Sequence, residues 1–167
     1  MYHMRKLVLF VLCLPIIAFA LPDDAKKTMH IVADATTFNY KTGANEYEGH
    51  VKIDQGSTHL IADRVTTTSN SNHKMEEAIA YGLNNQLAEY YTQPKPGDEA
   101  MHAKAKIIKF YPVQSLVILE GNVIVTQGKN SFEGPLIMYN MKNQVVTAPA
   151  SKAGRATVVI DPSQIKS

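Results

Sequence analysis

The chain has 167 residues, of which 45% are hydrophobic and 19% are charged, and its formal net charge is +2. It carries no basic stripe of the kind that nucleic acid binding requires, so the composition does not favour that class of partner. The single cysteine, Cys13, lies near the N-terminus, which excludes a disulfide within the chain and cysteine-based metal sites.

Residues 1–20 are typical of a secretory signal. Arg5 and Lys6 precede the apolar run Leu7–Ile17, and residues 18–20 are a small-x-small cleavage pattern. The run is shorter than the roughly 20 residues that span a bilayer, although a retained anchor is the alternative. Removal of the signal leaves 15 basic and 15 acidic residues and no cysteine. Export without disulfides is typical of a periplasmic protein, and residues 21–167 are expected to form one domain.

The remainder of the chain predicts many short strands and no long helix. Runs rich in Val, Ile, Thr, Tyr and Phe alternate with Gly, Pro and Asn, at the spacing of about 8 to 12 residues that is typical of an all-β sandwich, roll or barrel. Residues 66–77 form a polar connection unless the preceding strand continues into them, and residues 93–98 are the clearest loop. The predicted strands are 29–33, 36–40, 48–56, 58–65, 75–81, 86–92, 106–111, 116–120, 123–127, 132–139, 144–148 and 156–160.

One segment of the chain occurs twice. Glu48–Gly56, with the sequence EGHVKIDQG, returns 72 residues later as Glu120–Gly128, with the sequence EGNVIVTQG. Each copy ends on a glycine and is followed at once by a second strand-like run, over residues 58–65 or 131–138, which predicts a β-hairpin. The chain is therefore expected to contain two units of about 72 residues.

The turn fixes the pairing of each hairpin. A two-residue type II′ turn at Gly56-Ser57 pairs Gln55 with Thr58 and gives one apolar and one polar face. The expected apolar pairs are Val51 with Ala62 and Ile53 with Leu60, and the expected polar pairs are Asp54 with His59 and His50 with Asp63. The second hairpin pairs Val125 with Phe132 and Val123 with Gly134.

Some strands are apolar on both sides, notably Leu116–Leu119 and Leu136–Met138. Without helices to cover them, these strands indicate either the filled core of a sandwich or an open apolar groove for a lipid. Composition does not decide between the two.

A catalytic or metal site is not expected. Ser57, His59 and Asp63 have the residue types of a hydrolytic triad, but His59 and Asp63 lie about 13 Å apart along an extended strand. No nucleophile elbow of the G-x-S-x-G type is present, and the histidines after the signal lack ligand spacing. We therefore expect no catalytic residue, no metal and no cofactor.

The chain resembles the OstA-like family of periplasmic lipopolysaccharide transport proteins over nearly all of its length after the signal. The resemblance rests on six segments in the family's order. They are Met29–Asp34 (MHIVAD), Glu48–Gly56 (EGHVKIDQG), Leu60–Val65 (LIADRV), Ala80–Gly82 (AYG), Leu119–Val123 (LEGNV) and Gly154–Gln164 (GRATVVIDPSQ).

The resemblance implies a twisted, slightly open β-jellyroll of two antiparallel sheets with an apolar interior. It implies that the protein carries lipopolysaccharide, by its lipid A acyl chains, from an inner-membrane extraction complex to an outer-membrane translocon. Family members stack head to tail through terminal edge strands, for which Met29–Ala33 and Ala156–Ile160 are the candidates here.

The lipid-contacting residues follow from three sources. The resemblance gives Met29, Ile31 and Tyr90; the hairpin register adds Val51, Ile53, Leu60, Val123, Val125 and Phe132; and strand alternation adds Phe110 and Ile118. Two alternatives stay open, a periplasmic scaffolding module of the same shape with a filled core and no lipid, and a hydrolase acting on envelope glycans.

Overall fold

The structure, a computed structural model, describes residues 26–93, 97–143 and 145–162. The predicted signal and Cys13 lie outside these ranges. In the part of the chain that the structure describes, no helix has the length and apolarity to cross a membrane. The described strands are β1 (Met29–Val32), β2 (Ala35–Asn39), β3 (Ala44–Gln55), β4 (Thr58–Ser69), β5 (Met75–Tyr81), β6 (Ala88–Thr92), β7 (Met101–Ala105), β8 (Ile107–Tyr111), β9 (Leu116–Gln127), β10 (Asn130–Asn140), β11 (Val145–Thr147) and β12 (Thr157–Val159).

The four long strands, β3, β4, β9 and β10, each belong to two walls of a roll. The first part of β3 pairs with β2 and its last part pairs with β1, both antiparallel. In the same way, the first part of β4 pairs with β6 and its last part pairs with β5. We call β1, β6, β7, β12 and the adjoining halves of the long strands the first wall. The second wall contains β2, β5, β8, β11 and the other halves.

The walls meet at a corner made by β-bulges. Gly49 and His50 together oppose Asp63, because the β3–β4 register passes from Glu48 opposite Arg64 to Val51 opposite Ala62. Both bulge residues have left-handed φ angles, +75° and +47°. Glycine adopts this region freely and histidine is enriched there among other residues, and a bulge of this kind bends its strand.

The same corner recurs in the second half of the chain. Gly121 and Asn122 have φ angles of +77° and +51° and lie where the β9–β10 register skips a residue. The repeated E-G-x-V segment therefore encodes the bend of each long hairpin.

The predicted hairpin registers are confirmed on both sides of the turns. Gln55 pairs with Thr58, Ile53 with Leu60 and Val51 with Ala62, while Val125 pairs with Phe132 and Val123 with Gly134. Gly56 has a φ of +61°, as a type II′ turn requires at its first central position.

One predicted polar pair is wrong. Asp54 does pair with His59, but the bulge carries His50 away from Asp63. His50 instead binds Asp34, with 2.7 Å between Nδ1 and Oδ2, and this carboxylate raises the pKa of His50. Asp63 accepts a hydrogen bond from the backbone N–H of Leu83 at 2.6 Å.

Two features of the strand prediction are wrong, and the structure decides one alternative that the sequence left open. β7 was not predicted, because its inward positions are Met101 and two alanines, which are poor strand formers, and its outward positions are His102 and Lys104. Residues 116–120 and 123–127 form one strand that contains the bulge. The polar residues 66–69 continue β4, so the strand alternative for this segment is the right one.

The core lies between the walls, where side chains from both pack together. Its largest fully buried side chains are Val51, Val65, Val123 and Ile137. Ala62 and Val65 are both buried although two residues separate them. The inward positions of β4 therefore change from even to odd numbers at the corner.

The strand pairings of β1–β4 recur in β7–β10. Met29 pairs with Gln55 as Met101 pairs with Gln127, and Ala35 pairs with Glu48 as Ile107 pairs with Glu120. The two halves join through β5 with β8 and β6 with β7. Among the described strands, β1 and β2 at one end and β11 and β12 at the other pair on one side only.

Candidate functional site: an apolar cleft between the walls

A cleft of about 470 Å³ lies between the two walls, mainly in the half formed by β1–β6. Its volume is within the range of about 300 to 1,000 Å³ that is usual for small-molecule sites. The lining side chains are Met29, Ile31, Asn45, Tyr47, Ile53, Gln55, Thr58, Leu60, Thr67, Ser69, Met75, Ala78, Ala80, Tyr90, Thr92, Gln93, Ile108, Phe110, Pro112, Val117, Tyr139 and Met141.

The first wall supplies a continuous row of apolar side chains. Cross-strand pairing aligns Ile31, Ile53, Leu60 and Tyr90 on β1, β3, β4 and β6. All four line the cleft. Residues directly opposite one another in an antiparallel sheet project to the same face, so the row forms one surface.

The same row continues into the second half, where the space is filled. Tyr90 pairs with Ala103, Ala103 with Val125 and Val125 with Phe132. Ala103 and Val125 are buried in the core and do not line the cleft. The cleft therefore narrows to a packed core along the first wall.

The second wall is apolar apart from a short polar strip. Asn45 Nδ2 donates to Thr67 Oγ1 at 3.3 Å, and Thr67 is only 5% exposed. Burial raises the pKa of Tyr47, and a hydrogen bond with Thr67 partly offsets that rise. Burial also raises the pKa of Tyr139 farther along this wall. Both phenols therefore stay protonated at neutral pH and are able to donate a hydrogen bond.

The structure brings six of the eleven predicted lipid-contacting residues to the cleft. Val51, Val123 and Val125 lie instead in the buried core, and Phe132 packs against it. The six that line the cleft are Met29, Ile31, Ile53, Leu60, Tyr90 and Phe110.

Ile118 does not reach the cleft. It lies between the buried residues Val117 and Leu119 and pairs with Lys109 on one side and Met138 on the other. Since side chains alternate along a strand, Ile118 faces outward with Lys109, whereas Val117 lines the cleft. The inward positions of this part of β9 were therefore predicted one residue out of register.

Sequence reasoning missed most of the second-wall lining. The apolar face was traced from the turn at Gly56 as far as Ala62, and strict alternation beyond that residue points Arg64 inward. The bulge reverses the alternation, so that Val65 and Thr67 face inward instead. The left-handed pair Gly49-His50 within the repeated segment is the signal from which this change could have been inferred.

The triad residue types are not assembled. His59 Nδ1 binds Asp54 Oδ1 at 2.5 Å, and the Ser57 hydroxyl donates to the Gln93 carbonyl at 3.4 Å. Asp63 accepts a hydrogen bond from the backbone N–H of Leu83 at the corner. Within residues 26–93, 97–143 and 145–162, no three His, Cys, Asp or Glu side chains are placed to hold a metal ion together.

The described residues form a β-roll of twelve strands with a ligand-sized apolar interior. Residues 30–145 match the sequence model of the family described as LptA/(LptD N-terminal domain) LPS transport protein. The chain belongs to this family of lipopolysaccharide transport proteins.

Named relatives lie within the same family. The chain is 33% identical over 140 residues to the lipopolysaccharide export system protein LptH of Pseudomonas aeruginosa, covering 84% of this chain and 75% of that protein. It is 27% identical over 150 residues to LptA of Escherichia coli K12, covering 89% of this chain and 79% of that protein.

A solved structure supports the fold. The crystal structure of P. aeruginosa LptH, described as the LptA homologous periplasmic component of a lipopolysaccharide transport device, matches with a TM-score of 0.76 and 29% identity. The match covers 84% of this chain and all of that one.

The difference between an open first half and a filled second half predicts different tolerance to added volume. Ala78 lines the cleft, so Ala78→Met should change the free energy of unfolding by less than about 1 kcal/mol. Ala103 is 2% exposed in the packed half, so Ala103→Met should cost about 1 to 3 kcal/mol. Urea denaturation of the two variants measures these changes in the free energy of unfolding. Equal decreases for the two variants would show that the cleft is not open.

Proposed function

We propose that this protein binds lipopolysaccharide and shields its lipid A acyl chains in the cleft while they cross the periplasm. The observation that carries the proposal is the aligned apolar row of Ile31, Ile53, Leu60 and Tyr90 beside open space. The names of the relatives, lipopolysaccharide export proteins, supply the class of cargo.

The energetics suit a carrier. Each acyl methylene kept from water contributes about 0.8 kcal/mol, so exposing one chain of twelve carbons costs roughly 10 kcal/mol. Apolar contacts along a row have no directional requirement, which allows a chain to slide from one unit to the next. We propose that the protein works by this shielding alone and performs no catalytic step.

The proposed route fixes the compartment and the partners. The signal in residues 1–20 directs export and is removed, which places the mature protein in the periplasm. One end of the roll receives lipopolysaccharide from an inner-membrane extraction complex, and the other end delivers it to an outer-membrane translocon.

We further propose that the roll is a β-jellyroll of two duplicated units. The recurrence of the E-G-x-V corner and of the β1–β4 pairings 72 residues later supports this history. A duplicated unit must bind its own copy, and the junction of β6 with β7 is one of the two places where the halves pair.

That internal junction suggests how whole molecules stack head to tail. In the first half Ile61 pairs with Glu89, and in the second half Glu133, 72 residues after Ile61, pairs with Thr157. Thr157 therefore occupies the position of Glu89. Glu89 pairs with Lys104, which lies 72 residues after Val32. Repeating the junction between molecules therefore pairs Thr157 with Val32 of the next molecule.

The register extends the apolar row across the contact. With Thr157 opposite Val32, Val158 lies opposite Ile31 of the next molecule. Val158 already pairs with Phe132, so the row then passes from one roll into the next without a break. The exposed β1 and β12 edges supply the backbone hydrogen bonds for this addition.

Lipid binding should depend on the inward face of β3. Ile53→Asp places a carboxylate in the cleft, so we expect lipopolysaccharide recovered with the purified periplasmic protein to fall at least tenfold, as measured by mass spectrometry. Lys52→Asp, on the exposed face of the same strand, should retain wild-type lipid.

Circular dichroism confirms that each variant is folded before lipid is compared. A folded Ile53→Asp protein that retains full lipid would contradict the proposal. A wild-type protein that carries no lipopolysaccharide would favour the scaffolding module.

The proposed stacking register is testable by disulfide trapping. The mature protein lacks cysteine, so Thr157→Cys with Val32→Cys introduces one pair per contact. Directly opposed residues have Cα atoms about 5 Å apart, within disulfide range. We expect a ladder of covalent oligomers on non-reducing electrophoresis after mild oxidation.

The matched control moves one cysteine by two residues on the same face. Thr157→Cys with His30→Cys places the Cα atoms about 8 Å apart, beyond easy disulfide formation. Equal ladders from both pairs, or a stronger ladder from the control, would refute the register.

A further inference from the structure

The polar strip on the second wall consists of three neighbouring side chains. Asn45, Tyr47 and Thr67 line the same space as the apolar row. Asn45 and Thr67 are directly opposed on β3 and β4, and Tyr47 lies two residues along on the same face. Polar atoms in such a place lose hydration when an apolar ligand covers them, unless the ligand supplies hydrogen bonds.

The hydrogen bonds within the strip leave capacity for a ligand. Asn45 donates to the Thr67 hydroxyl at 3.3 Å. The Thr67 hydroxyl also hydrogen-bonds the phenol of Tyr47. A phenol both donates and accepts, and an amide has a carbonyl oxygen beside its NH2 group, so Tyr47 and the Asn45 side-chain oxygen keep hydrogen-bonding capacity toward a bound molecule.

The fold does not require polar residues at these positions. The β9–β10 pair places Val117 opposite Tyr139, as the β3–β4 pair places Asn45 opposite Thr67. The residue 72 positions after Tyr47 is Leu119. The second half therefore forms the same strands with less polar residues at these positions. The strand pairing itself does not require the polar strip in the first half.

We infer that the strip of Asn45, Tyr47 and Thr67 makes the cleft selective for an acyl chain that carries an oxygen substituent, a hydroxyl or an ester, over an unsubstituted hydrocarbon chain. The inference rests on the proposed function and adds the substrate chemistry of the same cleft. A substituent oxygen accepts from the Tyr47 hydroxyl, and a ligand hydroxyl donates to the Asn45 carbonyl. An unsubstituted chain covers both groups without replacing their water.

The test compares dodecanoate with its 3-, 6- and 9-hydroxy isomers as competitors of a fluorescent fatty acid. At least one isomer should bind the wild-type protein about fivefold or more tightly than dodecanoate, the effect of one net hydrogen bond. Thr67→Val keeps the shape and removes the hydroxyl that holds both the Asn45 amide and the Tyr47 phenol in place, so it should reduce this preference to less than about twofold.

Two further variants control the comparison. Thr66→Val makes the same chemical change on the outward face of β4 and should leave the preference intact. Asn45→Val introduces the residue that the second half has at this position and should also reduce the preference. It provides the test if Thr67→Val fails to fold.

The outcomes separate the two proposals. If dodecanoate binds as tightly as every isomer, or if folded Thr67→Val and Asn45→Val keep the wild-type preference, the selectivity is refuted while lipid binding stands. If neither dodecanoate nor any isomer displaces the fluorescent fatty acid, the proposed function and the selectivity fail together.

Discussion

The structure depends on a bend in each long hairpin. Gly49-His50 and Gly121-Asn122 adopt left-handed φ angles side by side and insert one extra residue opposite Asp63 or Pro135. A straight antiparallel sheet of this length has two faces and, without helices, both meet water. The bulges turn each hairpin through a corner, so that one face of the sheet becomes an interior and the chain gains a core.

The same bend encloses a different interior in each half of the chain. In the second half Ala103, Val125 and Ile137 fill the space between the walls and provide a core. In the first half the walls stay apart over Ile53 and Leu60, and the interior is a cleft. Since a folded domain of this size has only about 5 to 15 kcal/mol of net stability, a packed half beside an open half provides a core while leaving space for the proposed ligand.

The features that the sequence predicted are those in which two local signals agree. The hairpin register followed from a glycine turn and an alternating pattern that exclude any slip, and it assigned Ile53 and Leu60 to the inward face, where both line the cleft. Ile31 and Tyr90 were assigned from the family resemblance and not from the register. The second wall was not predicted, because the reversal of inward positions between Ala62 and Val65 depends on backbone angles that no side-chain pattern records. β7 was missed because alanine is a weak strand former. The strand forms through its pairing with a neighbouring strand on either side.

The central claim is that acyl chains lie against the inward row of the first wall. Neighbouring residues on β4 provide a direct test, since Leu60 lines the cleft whereas Ile61 is 51% exposed on the opposite face. A photo-crosslinking amino acid is introduced at each position, and the purified protein is irradiated with lipopolysaccharide. The account predicts a lipopolysaccharide adduct from position 60 and none from position 61. An adduct of equal yield from position 61, or an adduct from position 61 alone, would contradict it.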